Sequence, residues 1–327
     1  MTRFDVVAIG NAIVDVIARV DDDFLAANGV EKGIMTLIDQ ARAAELYAAM
    51  PPTREVSGGS GANTAAGLGA IGVPTAFIGK VRDDQLGRIF AHDIRAVGVH
   101  YDGPITPAGS PSETSRSFIL VSPDGERSMN TFLGASVELA AADIDERLLA
   151  RADWLYLEGY LFDTPEAKEA YAKAIRAVKS GGGRASMTVS DPFCVDRHRA
   201  DFRRLIASEL DLLFANRAEL LSLYQTDDLD TALSAVSRDV PLAAVTLSGD
   251  GAVIVRGSER ACVPATRVQV VDTTGAGDLF ASGFLAGLAR GASDAACARM
   301  GCAAAGEVIS HVGARPEADL SALVAAA

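Results

Sequence analysis

The chain has 327 residues, 49% of them hydrophobic, and a formal net charge of −13. That length and apolar content allow one large core with a small appendage, and they exclude a disordered chain. The acidic balance excludes nucleic acid or an anionic membrane surface as the main partner, since both are bound by clustered Lys and Arg.

The opening Met1-Thr2-Arg3-Phe4-Asp5 lacks the charged-then-apolar layout of a signal peptide, and no apolar run reaches membrane-spanning length. The cysteines Cys194, Cys262, Cys297 and Cys302 include no C-x-x-C pair. Neither a metal cluster nor a disulfide scaffold is expected, and a reduced, cytoplasmic setting fits best.

Asp5 to Ile9 reads as a first strand, and Gly10-Asn11-Ala12-Ile13-Val14-Asp15 follows it. Open α/β sheets bind ligands beyond the carboxyl ends of their strands, which is where Asn11 and Asp15 stand. A carboxylate that accepts vicinal hydroxyls penalises substrates lacking them, because the acceptor is left unpaired. An Asp that only caps a turn is the competing reading. Ser57-Gly58-Gly59-Ser60-Gly61-Ala62-Asn63 is either flexible backbone beside a substrate or a loop entering a helix, with Asn63 in its first turn. Gly67-Leu68-Gly69-Ala70-Ile71-Gly72 matches G-x-G-x-x-G but follows a helical pattern, so a closely packed helix C-terminus is expected there rather than a dinucleotide site. No Walker-type phosphate-loop motif occurs.

Ser117 to Val121, the turn Ser122-Pro123-Asp124-Gly125 and Arg127 to Phe132 predict a hairpin. Segments 14–20 and 115–131 are therefore expected to carry strands that stand apart from a main sheet. Further on, strand patterns at Trp154–Leu157, Ala185–Val189, Leu210–Phe214 and Ala243–Leu247 alternate with amphipathic stretches such as Pro165–Lys179. This predicts an α/β fold with a parallel sheet and helices on both faces. Glu158 closes the first of these strands, where it could touch a substrate hydroxyl.

In Asn216-Arg217-Ala218-Glu219, the amide and the carboxylate lie three residues apart on one helix face and can converge on a hydrated cation. A capping box is the alternative. Thr246-Leu247-Ser248-Gly249-Asp250-Gly251 ends the next strand in a tight turn. Asp272-Thr273-Thr274-Gly275-Ala276-Gly277-Asp278 then runs into the apolar helical pattern Leu279, Phe280, Gly283, Leu285, Leu288. Small residues at a helix N-terminus let backbone N–H groups face an anion. Asp278, on the first helical turn, can accept the proton of a hydroxyl attacking a phosphoryl group. A plain capped helix is the competing reading. His311, before Gly313-Ala314-Arg315-Pro316, is assigned no chemistry, and Ala322 to Ala327 predicts a terminal helix.

Gly10–Asp15, Ser57–Asn63 and Asp272–Asp278, in that order, resemble motifs of the ribokinase-like (PfkB) carbohydrate and nucleoside kinases, and the resemblance runs from the first strand to the last helix. It implies a three-layer sandwich with a central, mostly parallel sheet. The chain 1–327 would be a single kinase domain, with 14–20 and 115–131 as a discontinuous β lid over the substrate. ATP and Mg2+ are implied, with Asp278 as base and Gly275, Ala276 and Gly277 as anion hole. Asn11, Asp15, Gly58, Gly59 and Asn63 would meet the sugar ring, and Arg127 the transferred phosphate. Asn216 and Glu219 would organise magnesium, with Asn216 also on the nucleotide side. Thr246, Gly249 and Gly251 would lie by the ATP phosphates and Cys302 by the adenine. Asp272 and Thr274, with the loop around Gly313, resemble a monovalent-cation site of some members, so K+ is an open cofactor.

The stretch Gly10–Leu25 and Gly58-Gly59-Ser60 is most similar to the adenosine kinase branch. A purine nucleoside, adenosine first, is the expected substrate; a free sugar such as ribose, fructose or 2-keto-3-deoxygluconate is the alternative, and a non-catalytic sensor the reading from another class. Monomer and homodimer both stay open. Two departures from the pattern stand out: Arg82 replaces a glycine in Gly79-Lys80-Val81-Arg82-Asp83-Asp84, and Cys302 replaces a polar residue.

Overall fold

Strand and helix patterns alternate along this chain, and the computed structural model, which describes residues 3–106 and 110–327, sorts the strands into two larger sheets and a two-stranded pair. The first strands are β1 (Phe4–Ile9), β2 (Ile13–Arg19), β3 (Met35–Leu37), β4 (Arg54–Gly58) and β5 (Thr75–Ile78). Next come β6 (Val81–Arg82), β7 (Ile105–Thr106), β8 (Ser115–Val121), β9 (Arg127–Phe132) and β10 (Ala152–Glu158). The last are β11 (Arg184–Thr188), β12 (Leu212–Asn216), β13 (Leu242–Thr246), β14 (Ala252–Arg256) and β15 (Glu259–Val263).

The main sheet has the order β15-β14-β13-β12-β11-β10-β1-β5, parallel from β5 to β13 and antiparallel beyond. Successive residues of a strand point to opposite faces, and here both faces are buried. Val6, Ala8, Trp154 and Tyr156 pack into one apolar cluster with the helices Ser60–Ile71, Ala276–Ala289 and Asp294–Val308. Val7, Ile9, Leu155 and Leu157 pack into another with Pro165–Ser180, Pro192–Ser208 and Leu229–Asp239. This is the three-layer sandwich the sequence predicts, with strand ends within two residues of expectation.

The second sheet has the order β3-β9-β8-β2-β4. Its back, with Val14, Val16, Ala18, Phe118 and Leu120, packs on Leu46, Phe90 and Ile94 of the helices Gln40–Ala49 and Gln85–Ala96. Its front carries cross-strand rows: Asp15, Ser117, Thr131 and Leu37 in one, Ile17, Ile119, Met129 and Met35 in the next, and Arg19, Val121 and Arg127 in the third. β3 and β4 lie outside the two segments that sequence patterning singled out, and Ser57 and Gly58 finish a strand rather than opening a loop.

Among the described residues, no helix is long and apolar enough to cross a membrane. The cysteines are free thiols, and only Cys262 is exposed. The terminal helix is Leu320–Ala325.

Candidate active site

The carboxyl ends of the parallel strands gather the site. Asn11 follows β1, Glu158 ends β10, and Asn216 and Thr246 end β12 and β13 as register partners. Parallel strands ending on one edge put these groups on a common rim.

Two helices complete that rim because glycine lets them approach closely. A Cβ on Gly67 would lie 2.4 Å from Ser282 Oγ of the helix Ala276–Ala289, while one on Gly69 would meet the end of the helix Gln85–Ala96 instead, 2.4 Å from Val97 O. The G-x-G-x-x-G stretch is thus a helix end, capped by Gly72 at φ +86. In the close contact, Ser282 Oγ donates to Thr64 O at 2.9 Å and Thr64 Oγ1 to Asp278 O at 3.2 Å. The Asp278 carboxylate accepts from Ser60 Oγ at 2.6 Å and from Asn63 Nδ2 at 3.0 Å. Burial pushes this carboxyl up to about 6, against the opposing pull of Ser60, Asn63 and Arg315. A base poised near neutrality is what general base catalysis asks for.

Asp15 sits over Gly58, where a Cβ would lie 2.3 Å from its Oδ2. Burial raises the Asp15 carboxyl to about 7, opposed by Arg315 and Arg127. Gly59, at φ +97, leaves no room for a Cβ, which would fall 2.2 Å from Asn11 O. The buried Glu158 accepts from Asn11 Nδ2 at 2.6 Å, Gly61 N at 2.6 Å and Asn11 N at 3.3 Å. Its carboxylate, expected near a substrate hydroxyl, faces protein donors at the start of the helix Ser60–Ile71. Asn11 Oδ1 and Asn63 Oδ1 are buried without a hydrogen-bond partner. Both amides give their NH2 to a carboxylate, which fixes their orientation and leaves two unpaired acceptors.

Arg127 reaches across from the second sheet. It is ion-paired with Asp272 and donates to Thr274 Oγ1 at 2.8 Å. Asp272 also accepts from Thr274 N, Thr274 Oγ1 and Gly313 N. Both carboxylate oxygens are engaged and the positive partner is already a guanidinium, so these residues do not fit a monovalent cation. Gly275 adopts φ +78 as N-cap of the helix Ala276–Ala289. The Ala276 N–H closes a turn on Thr273 O at 3.2 Å, so of the expected anion-hole amides it is the one already used.

Asn216 and Glu219 form a full capping box: Asn216 N donates to Glu219 at 2.9 Å, and Glu219 N to Asn216 Oδ1 at 2.9 Å. Burial raises the Glu219 carboxyl to about 7. No cluster of three metal-ligating side chains exists among the described residues. Both Glu219 oxygens are taken by Asn216 N and Nδ2, so this pair offers no free direct ligand, and a Mg2+ arriving on nucleotide phosphates with most of its waters would meet it only through water. Gly249 has open space around it. Gly251 is needed by the chain itself, at φ +94 with Val263 O 2.0 Å from a would-be Cβ. Cys302 is buried in the core, its thiol pushed up to about 11 by burial. Arg82 has no positive φ and pairs with Thr106, so that turn does not need the family's glycine.

Sequence reasoning gave no role to Ser60, Thr64 or Arg315. Arg315 donates to Ser57 O at 2.9 Å, Ser57 Oγ at 3.0 Å and Ala62 O at 2.9 Å. The available signal was an arginine set in an otherwise uncharged glycine-proline turn.

Comparison with known proteins places the chain in a family. The family model described as pfkB family carbohydrate kinase matches residues 3–320. A "probable sugar kinase protein" from Rhizobium etli is 52% identical, covering 100% of this chain and 99% of that one, with a TM-score of 0.91. An adenosine kinase from Sinorhizobium meliloti is 51% identical over 99% of both chains, with a TM-score of 0.91. An ATP-dependent ribose-1-phosphate kinase from Halopiger xanaduensis is 32% identical over 264 residues, 80% of this chain and 83% of that protein.

Proposed function

This chain belongs to the pfkB family of carbohydrate kinases, phosphotransferases with an alcohol acceptor, and we propose that it phosphorylates the hydroxymethyl group of a nucleoside, adenosine first, from ATP. The observation that carries the nucleoside reading is the front of the second sheet. Asp15 begins a row that passes Ser117 and Thr131 to Leu37. Thr131 and Leu37 line a cavity of about 330 Å³ with Ile38, Phe132, Leu133 and Val137. Strands lie about 4.8 Å apart, so the hydroxyl-binding carboxylate stands about 10 Å from Thr131 and about 14 Å from Leu37 of the apolar pocket. That separation suits a ribose joined to a flat base, whereas a free sugar has no apolar part to fill the pocket. The 51% identity to a protein named adenosine kinase supports the same reading.

In this reading Asp278 accepts the proton of the attacking hydroxyl, and the Gly275 and Gly277 amides donate to the phosphoryl oxygens. Asp15, with the unpaired Asn11 Oδ1 and Asn63 Oδ1, takes the ring hydroxyls. Arg127 keeps further N–H groups beside Thr274 for the transferred phosphate. Asn216, Glu219, Thr246 and Gly249 lie on the phosphate-donor side, where Mg2+ would supply charge neutralisation. The second sheet acts as the lid that excludes water.

The test is ADP formation with ATP and Mg2+ across adenosine, guanosine, inosine, ribose, fructose and 2-keto-3-deoxygluconate. Selective nucleoside turnover is expected. Turnover of a free sugar alone would move the substrate, and ligand binding without turnover would sink the kinase reading.

A further inference from the structure

Arg315 is a cation without a carboxylate partner at hydrogen-bond distance. Its contacts are the Ser57 carbonyl, the Ser57 hydroxyl and the Ala62 carbonyl, all neutral. It comes from the loop whose Gly313 N–H bonds Asp272, and it crosses to the turn between β4 and the helix Ser60–Ile71. Ala62 lies between Ser60 and Asn63, the two residues that hold the Asp278 carboxylate. Ser57 is gripped from the other side, its N–H donating to Asp93 at 3.1 Å. A half-buried guanidinium satisfied only by neutral oxygens keeps its charge unneutralised, and that charge acts on nearby carboxylates.

We propose that Arg315 is a positioning residue of this site, the cation that locks the Ser57–Ala62 turn and keeps the Asp278 carboxylate ionised for proton abstraction. The proposal rests on the reading of Asp278 as base. Its electrostatic setting supports it. The charged and titratable groups that sense the Asp278 charge are Arg315, Asp15, Glu158, Glu219, Tyr156 and Tyr160. Ser60 and Asn63 are neutral donors. Burial opposes a negative Asp278, and after the Ser60 and Asn63 hydrogen bonds Arg315 is the cation that favours it. Burial lowers Arg315 itself to about 10, with Asp15, Asp278 and Asp93 opposing, so it stays protonated at neutral pH. Sequence spacing did not reveal it because its partners are backbone carbonyls more than 250 positions away.

The experiment compares wild type, Arg315→Met and Arg315→Lys. The Asp278 carboxyl is titrated by 13C NMR in aspartate-labelled protein, assigned with Asp278→Asn. Loss of the cation should raise the Asp278 midpoint by roughly one unit in the Met variant, a tenfold change in its proton affinity. The Lys variant should stay within about 0.3 unit of wild type. The acid limb of kcat for the panel substrate turned over fastest should move with the midpoint. An unmoved midpoint in Arg315→Met overturns the proposal, as does an equal shift in both variants, which would leave the side chain only structural. Should the Met variant not fold, a one-unit rise in the Lys variant overturns it equally. The NMR titration needs no turnover, so its failure is distinct from a failure of the kinase reading.

Discussion

Arg127 and Asp272 form an ion pair that joins the second sheet to the loop in front of the helix Ala276–Ala289. The guanidinium holds Thr274 Oγ1 as well, so the loop carries its own positive charge. Burial lowers the Arg127 pKa, opposed by Asp272 and Asp15, yet an arginine stays charged throughout the accessible range. Turnover should therefore be equal within about twofold in potassium, sodium or tetramethylammonium buffers, since no lone cation has to enter. Arg127→Ala should cost about 100-fold in kcat and make the remainder respond to potassium. A wild-type enzyme that needs potassium would refute this.

Asp278→Asn should lower kcat by about 1,000-fold, the scale of a lost general base. The amide can still meet Ser60 and Asn63, so substrate affinity measured by calorimetry should change little. Turnover near the wild-type rate would remove Asp278 from the base role.

For Asp15→Ala the expected effect is on the acceptor side. KM for the acceptor substrate should rise by roughly 100-fold, since its hydroxyls lose a carboxylate acceptor, while KM for ATP stays within a few-fold. Steady-state kinetics with each substrate varied in turn checks this. Equal rises in both would argue against hydroxyl recognition.

Glu158 makes a prediction about stability. Burial raises its folded pKa to about 7, with the Gly61 and Asn11 hydrogen bonds opposing, above the usual value of about 4.3 for an unfolded chain. The folded state thus holds the proton more tightly. The associated stability is complete below about pH 4.3 and is lost as pH rises through about 7. Asp15 and Glu219 share that direction. The urea midpoint of the wild type should fall between about pH 5 and pH 8, and Glu158→Gln should flatten the fall. A midpoint that rises over this range would contradict the assignment.

Gly67→Ala tests how the site is assembled. The added methyl would meet Ser282 Oγ at 2.4 Å and force the helices Ser60–Ile71 and Ala276–Ala289 apart. Overpacking of this kind costs roughly 1–3 kcal/mol. Here it should also loosen Ser60 and Asn63 on Asp278, so kcat should drop more than the loss of folded protein explains. Thermal melts beside kinetics separate the two effects.

What the sequence determined by itself is local. The period-two runs buried on both faces, the capping box at Asn216 and Glu219, the glycine-ended helix at Gly72 and the small-residue start at Gly275 all rest on spacings within a few residues. Backbone sterics and hydrogen-bond reach act over that range, so the fold and the position of Asp278 were legible. Tertiary structure alone decided how carboxylates found their partners. Arg127 and Thr274 are 147 positions apart, as are Asn11 and Glu158, and Ser60 and Asp278 are 218 apart. Whether Glu158 faces a ligand or the protein, and whether Asp272 waits for a metal or holds an arginine, depends on which side chain the packed sheets and helices bring within about 3 Å. No local pattern encodes that distance, because it is set by the closing of the whole core around the strand ends.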